Sequence, residues 1–211
     1  MGLKVLSLDG QPGLGLEQEE VYDWTKQLWD KLEDRVWSHP QVTFQKEDVD
    51  ERIVRELIQH KELLEAVERW ITVTDYSLLP KLREAKRVFE AIQPPPVRET
   101  LYRGFSPKDR NHDEAIKALE VGETYSYTPN SMMSFSFHKG TVKDFGDTIV
   151  SVPYADVRDR MFHITNEIVM AYMVRDIKDF NLNSETKFPT FGESVFLPDG
   201  RAITLTMVSK G

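Results

Sequence analysis

The chain has 211 residues and a mass of 24.5 kDa, a size that suits one domain or one domain with an extension. Its hydrophobic fraction of 40% is enough to build a core, and the absence of cysteine excludes disulfides, thiolate metal sites and cysteine nucleophiles. The net charge of −8 argues against nucleic acid as the main partner, because neutralising phosphates requires a basic face.

The sequence gives no indication of membrane insertion or secretion. No run of about 18 apolar residues is present, so we predict no membrane span. The N-terminus lacks the apolar segment of a secretory signal peptide, and we therefore expect a cytoplasmic protein. The five histidines include no HExxH pattern or other close ligand pair, so we predict no metal site.

The first part of the chain is predicted to be mostly helical. Residues 3–8 indicate a strand that leads into a glycine-rich turn, and apolar residues at helical spacing then predict a helix over residues 17–37. A further helical segment is predicted over residues 48–60 and continues to Ile71, and another spans residues 82–92. Trp70 lies in an amphipathic stretch, and we assign its side chain to core packing.

The pattern changes after Pro94, Pro95 and Pro96, which cannot lie inside a helix. Short apolar runs between turn signals now predict strands, and one helix interrupts them over residues 166–174. The predicted strands are Thr100–Phe105, Met133–Phe137, Thr148–Pro153, Ser194–Leu197 and Ala202–Val208. In the last of these, Ile203, Leu205 and Met207 alternate with more polar residues, as expected of a strand with one buried face.

Three separated segments carry polar side chains at strand positions. Leu101-Tyr102-Arg103-Gly104 contains an arginine whose planar fork suits a diphosphate, or else forms an ordinary surface ion pair. Met133-Ser134-Phe135-Ser136 puts two hydroxyls on one face of a strand. Glu193 stands at the entry to an apolar strand, where the alternative is a solvated glutamate at the end of a loop.

In this order the three segments resemble the Arg–Ser–Glu class of ADP-ribosyltransferases. Toxin and phage members of that family carry a Tyr-Arg-Gly strand, a serine-rich strand and a glutamate strand ending in Leu-Pro-x-Gly. The resemblance extends upstream to the helical segment around Asp75 and Arg83. It implies an α+β fold with a split mixed β-sheet and an N-terminal helical region. The domains would be an extension at residues 1–60 and an ADP-ribosyltransferase-like domain at 61–211, with a helical lead-in (61–96) and a strand-rich core (97–211).

The resemblance also implies that NAD is the substrate and that the bond between nicotinamide and ribose is cleaved. Glu193 would bind the ribose 2′-hydroxyl and stabilise the cation-like anomeric carbon. Arg103 would hold the NAD phosphates, and Gly104 would bind the nicotinamide amide through its backbone. Ser134 would position Glu193 and the nicotinamide-side ribose, and Ser136 would support both.

The glutamate segment departs from the family pattern. Family members keep the catalytic glutamate four residues before the proline, where this chain has Ser194, and Glu193 lies one residue earlier. A one-residue bulge at the start of the strand would restore its position. Phe191 occupies the place two residues before Glu193, which in relatives helps to orient the acceptor. Phe191, Glu185 and Phe188 are the candidates for the acceptor loop.

The sequence therefore predicts a mono-ADP-ribosyltransferase that modifies a macromolecule, a protein in preference to a nucleic acid. The alternatives are an ADP-ribosyltransferase fold that has lost turnover and acts by binding, and an NAD glycohydrolase that uses water. Size and the lack of a signal peptide resemble phage-encoded members, which implies a target protein in the cytoplasm of a host cell. The amphipathic pattern of residues 1–60 favours packing against the catalytic domain over target recognition.

Overall fold

A computed structural model describes residues 42–106, 114–177, 187–191 and 193–210. The predicted strand at residues 3–8 and the predicted helix at residues 17–37 lie outside these ranges. In chain order the elements are β1 (Val42–Asp48), α1 (Glu51–Leu57), α2 (Lys61–Val73), α3 (Leu79–Ile92), β2 (Thr100–Phe105), α4 (Glu114–Ala118), β3 (Thr124–Tyr127), β4 (Met133–Ser136), β5 (Thr148–Pro153), α5 (Tyr154–Val157), β6 (Met161–His163), α6 (Asn166–Val174), β7 (Lys187–Phe191), β8 (Glu193–Phe196) and β9 (Ile203–Ser209). Short 3₁₀ segments are Ile58–His60, Tyr76–Leu78, Thr141–Phe145 and Arg158–Arg160.

Local signals fix where several helices begin and end. The Asp50 carboxylate accepts a hydrogen bond from the Arg52 backbone N–H at 2.9 Å and caps α1. The Thr165 hydroxyl caps α6 in the same way, with 3.4 Å between its oxygen and the Ile168 nitrogen. α2 ends at Thr74, whose φ of 50° places it in the left-handed region that terminates helices.

Helices α1, α2, α3 and α6 pack on one face of the main sheet. Their apolar sides enclose a core that also contains Phe162 and Val195 from the sheet. The chain passes directly from the 3₁₀ segment Ile58–His60 into α2, and Val54 and Leu57 of α1 lie in the same core. The described end of the predicted extension is therefore packed against the helices that follow it. Among the described helices, none has the length and apolarity needed to cross a membrane.

The main sheet has seven strands in the order β3-β9-β5-β2-β4-β8-β6. Every described pair of neighbours is antiparallel, which corrects the expectation of a mixed sheet. A second core lies on the face away from the helical layer and includes Leu101, Phe105, Val150, Phe196 and Leu205. β1 and β7 form a separate two-stranded antiparallel sheet. The fold class is α+β, as predicted.

The main sheet nearly divides between β2 and β4. β2 pairs with β5 along its whole length, whereas β2 and β4 share the single residue pair Tyr102 and Ser136. If that antiparallel register continued, Gly104 would lie opposite Ser134, but the ladder stops before that point. The strands that carry two of the predicted functional motifs therefore separate at the motifs themselves.

Five of the nine described strands were predicted to within one residue at each end. β2, β5 and α6 have the predicted bounds, and β4, β8 and β9 differ by one residue at one or both ends. Ile203, Leu205 and Met207 are buried, which confirms the predicted alternation in β9. β1, β3, β6, β7, α4 and α5 were missed, because these segments of three to seven residues lack a repeated apolar spacing.

Gly104 and Gly146 allow the 3₁₀ segment Thr141–Phe145 to lie against β2. A Cβ on Gly104 would lie 2.1 Å from the carbonyl oxygen of Val142. Gly146 has a φ of 155°, and a Cβ there would lie 2.1 Å from the carbonyl group of Phe105. Only glycine permits so close an approach of two backbones.

We expect Gly104→Ala to lower the free energy of unfolding by about 3 kcal/mol, because backbone atoms must move to accommodate the methyl group. Gly140→Ala is the matched control, since a Cβ at Gly140 meets no atom within 4 Å. Its effect should stay within about 0.5 kcal/mol. Urea unfolding measures both variants, and equal stabilities would contradict the close approach of Thr141–Phe145 to β2.

Candidate active site

The Glu193 carboxylate is buried between the helical layer and the sheet. Glu193 begins β8, and its side chain is 7% exposed. Its Oε1 accepts a hydrogen bond from the indole Nε1–H of Trp70 in α2 at 3.0 Å and a second from the hydroxyl of Ser134 in β4. The carboxylate is therefore held by one donor from each layer of the protein.

Ser134 reaches Glu193 diagonally across the β4–β8 pair. In the register of these strands Ser134 lies opposite Val195, and Ser136 lies opposite Glu193. Diagonal neighbours in an antiparallel pair lie on the same face, within reach of a long side chain. The register is regular from Glu193 to Phe196, so the carboxylate reaches Ser134 without a bulge inside β8. The predicted bulge is not needed within this strand.

Arg103 connects β2 to the same serine. Its Nη1 donates a hydrogen bond to the backbone carbonyl of Ser134 at 2.7 Å, and its guanidinium carbon lies 4.8 Å from the centre of the Phe105 ring. This contact crosses the gap at which the β2–β4 ladder has stopped. Arg103, Ser134 and Glu193, which the sequence singled out in three separate segments, therefore form one chain of hydrogen bonds.

Gly104 and Ser136, the other two residues predicted to bind NAD, lie on either side of these hydrogen bonds. Gly104 follows Arg103 in β2 and lies under the 3₁₀ segment that contains Val142. Ser136 is buried, and its hydroxyl accepts a hydrogen bond from the backbone N–H of His138 at 3.0 Å. Ser136 thus orders the turn that follows β4, while Ser134 contacts the carboxylate.

Burial and hydrogen bonding have opposite effects on Glu193. Burial raises the pKa of the Glu193 carboxyl above its ordinary value, because the charged form loses its hydration. The hydrogen bonds from Ser134 and Trp70 and the charge of Arg103 favour the ionised form and act in the opposite direction. Burial is the larger effect, so the site contains a carboxyl group that is harder to ionise than an exposed glutamate.

Trp70 is a functional candidate that sequence analysis missed. It was assigned to core packing, and it does pack in the helical core and against Tyr76, with ring centres 5.9 Å apart. Its indole N–H, however, is directed at Glu193. The signal was indirect: a buried tryptophan needs a hydrogen-bond acceptor, and a distant glutamate supplies it.

The opposite face of β8 is held by a separate buried network. The Ser194 hydroxyl lies 2.7 Å from Nδ1 of His163, and Nε2 of that histidine lies 3.0 Å from the Tyr154 hydroxyl. The Phe137 ring stacks on the imidazole with centres 5.1 Å apart. Burial lowers the pKa of His163 to about 4, so the ring is neutral at physiological pH. The network fixes β8 to β6 on the side away from Glu193.

The predicted acceptor loop is only partly described. Phe188 and Phe191 lie in β7, which pairs with β1 opposite Glu47 and Val42. Glu185 lies outside the described residues. Within the described ranges, no group of three or more His, Asp or Glu side chains is placed to hold a metal ion.

Comparison of the chain with protein-family models, with curated proteins and with solved structures gives no match in any of the three. The functional interpretation therefore depends on the geometry and chemistry of the site itself.

The raised pKa of Glu193 has a consequence for stability. Between the ordinary and the raised pKa, the native state binds more protons than the unfolded chain, so stability decreases as pH rises through that window. Glu193→Gln keeps an oxygen that accepts both hydrogen bonds but has no charge to bury. We expect this variant to be more stable than the wild type above the window, with the difference disappearing in acid.

Thermal unfolding measured across pH checks this prediction. Glu62→Gln, at an exposed position in α2, is the control and should follow the wild type at every pH. A Glu193→Gln variant that is less stable than the wild type at neutral pH would show that the ionised carboxylate stabilises the fold.

Proposed function

We propose that this protein is a mono-ADP-ribosyltransferase that uses NAD as a substrate and modifies a macromolecule, most readily a protein. The observation that carries the proposal is the buried Glu193 carboxylate, bonded through one oxygen to Ser134 and Trp70 and linked to Arg103 through the Ser134 carbonyl. These are the arginine, serine and glutamate whose order along the chain resembles that family.

The proposed reaction requires a carboxylate beside a positively charged carbon. The bond between the nicotinamide nitrogen and the ribose C1′ breaks, and its electron pair leaves with nicotinamide. C1′ then resembles an oxocarbenium ion, as in glycoside hydrolysis, and a fixed negative charge nearby lowers the energy of that state. A nucleophile of the acceptor forms the new bond to C1′ and gives up its proton.

The side chains around Glu193 fit such a substrate. Trp70 and Ser134 both bond to Oε1, and no described hydrogen bond occupies Oε2, which remains for a ribose hydroxyl. Arg103 is half-buried where β2 and β4 separate, and its planar guanidinium suits a diphosphate. Binding there requires no metal or thiol, in keeping with a chain that contains no cysteine.

A second candidate function is a protein of the same fold that binds NAD or a partner with little or no turnover. The raised pKa of Glu193 favours it, because a carboxyl group that ionises less readily is less able to stabilise a cation. NAD hydrolysis is the intermediate case, in which water replaces the acceptor. Release of nicotinamide and transfer of ADP-ribose must therefore be measured separately.

Incubation of the full chain with NAD labelled in the adenylate part, with and without a cell lysate, tests the proposal. We expect labelled protein and released nicotinamide. Both should decrease by about 10²–10³-fold in Glu193→Gln, the rate loss expected when one stabilising electrostatic contact is removed. Glu62→Gln should behave as the wild type. Equal transfer by the wild type and Glu193→Gln would remove this carboxylate from the mechanism, and nicotinamide release without labelled protein would indicate a glycohydrolase.

Trp70→Phe tests whether the indole N–H tunes the carboxylate. Loss of a donor to the ionised form should raise the pKa of Glu193 further, so the acid limb of the rate profile should shift to higher pH. Ser134→Ala should shift it in the same direction. A lower rate at all pH values with an unmoved acid limb would mean that Trp70 only packs.

A further inference from the structure

A second candidate binding site lies at the other end of β8. A cavity of about 630 Å³ opens between α3, the 3₁₀ segment Arg158–Arg160 and the loop that follows β8. Leu197 lines it and lies four residues beyond Glu193, about 13 Å along an extended chain. The cavity is therefore separate from the site built around Glu193.

The walls of the cavity are rich in cations. Arg83, Lys86 and Arg87 lie on one side of α3, and Arg160 and Arg201 lie on the other wall. The spacing in α3 places these three side chains on one helical face, because residues three and four apart are neighbours. Arg87 is exposed, and among the described residues it has no ion pair or hydrogen bond.

Three carboxylates line the same cavity and are already paired within it. Glu90 bonds to Lys86 at 2.5 Å, and Asp159 and Asp199 each lie 2.5 Å from the guanidinium of Arg201. Among the described residues of the lining, five cations stand against three carboxylates, which leaves an excess of two positive charges. This excess occurs in a chain whose net charge is −8.

Arg160 adds a buried positive charge to the wall. Its side chain is 7% exposed, and its nearest carboxylate oxygens, on Asp199 and Asp159, lie 3.5 and 3.6 Å away. Its Nη atoms donate mainly to backbone carbonyls, including those of Asp156 and Arg201. Its buried Nε has no hydrogen-bond partner in the part of the chain that the structure describes. A buried guanidinium with a free N–H donor favours a hydrogen-bond acceptor such as an anion nearby.

We propose that this cavity binds the phosphate group of a small molecule of nucleotide size. A phosphate monoester carries about −1.5 to −2 charges at neutral pH, which balances the two excess positive charges of the cavity lining. Arginine forks suit phosphate oxygens, and the volume lies within the range of about 300–1,000 Å³ that small-molecule sites occupy. None of the described residues that line the cavity is aromatic and could stack on a base, and three of them are carboxylates; both features disfavour a nucleic-acid strand.

Calorimetric titration of the full chain with AMP tests this proposal, with adenosine as the phosphate-free probe. We expect AMP to bind, adenosine not to bind, and the affinity for AMP to decrease with added salt. Arg87→Glu should weaken AMP binding by about 10-fold or more, the loss expected for one charge-assisted contact. Lys81→Glu makes the same change of charge at an exposed position on the same helix outside the cavity and should leave the affinity unchanged.

Arg103→Lys separates this site from the proposed NAD site. Under the proposal this variant binds AMP with an affinity that still depends on Arg87. Failure of AMP to bind, or equal affinities of Arg87→Glu and Lys81→Glu, would overturn the proposal. Loss of AMP binding in Arg103→Lys together with no effect of Arg87→Glu would assign the ligand to the Glu193 site and would also overturn it.

Discussion

Burial of one carboxylate, that of Glu193, is the constraint on which the candidate site depends. A buried charge is tolerated only where donors are fixed around it, and the two donors here come from different layers of the fold. Trp70 belongs to α2 and Ser134 to β4, so the site is complete only when the helical layer is packed on the sheet. The helical lead-in is thus part of the site as well as a support for it.

The near-division of the sheet explains how Arg103 joins this arrangement. Continuous pairing of β2 with β4 would satisfy the backbone groups at Ser134 and close the space between the strands. Instead the ladder stops after one residue pair, and the arginine side chain donates to the Ser134 carbonyl. On the other side of the same stretch, Gly104 and Gly146 admit a 3₁₀ segment against β2. The interrupted β2–β4 ladder and the two glycines, which have no side chains, together shape the space around Arg103.

Features that a local residue pattern encodes could be predicted from the sequence, whereas features that depend on distant contacts could not. β2, β4, β5, β8 and β9 were predicted from apolar runs between turn signals, and Arg103, Ser134 and Glu193 were singled out by their order along the chain. The contact between Trp70 and Glu193 could not be predicted. The helical pattern shows that Trp70 packs in the core, but the residue that accepts its N–H hydrogen bond lies 123 residues away. The order and antiparallel direction of the seven strands could not be predicted either, since short strands such as β3 and β6 contain too few residues to establish a period.

The position of the glutamate follows from the two-residue period of β8. Successive side chains of a strand point to opposite faces, so Glu193 and Val195 face the helical layer while Ser194 and Phe196 face the second core. A carboxylate at position 194 would instead meet neutral His163 and the stacked Phe137 ring in a buried space. A serine there instead completes the hydrogen-bond network to Tyr154. The carboxylate at position 193 reaches Trp70 and Ser134 because residue 193 lies on the face of β8 that meets the helical layer, whereas residue 194 lies on the other face.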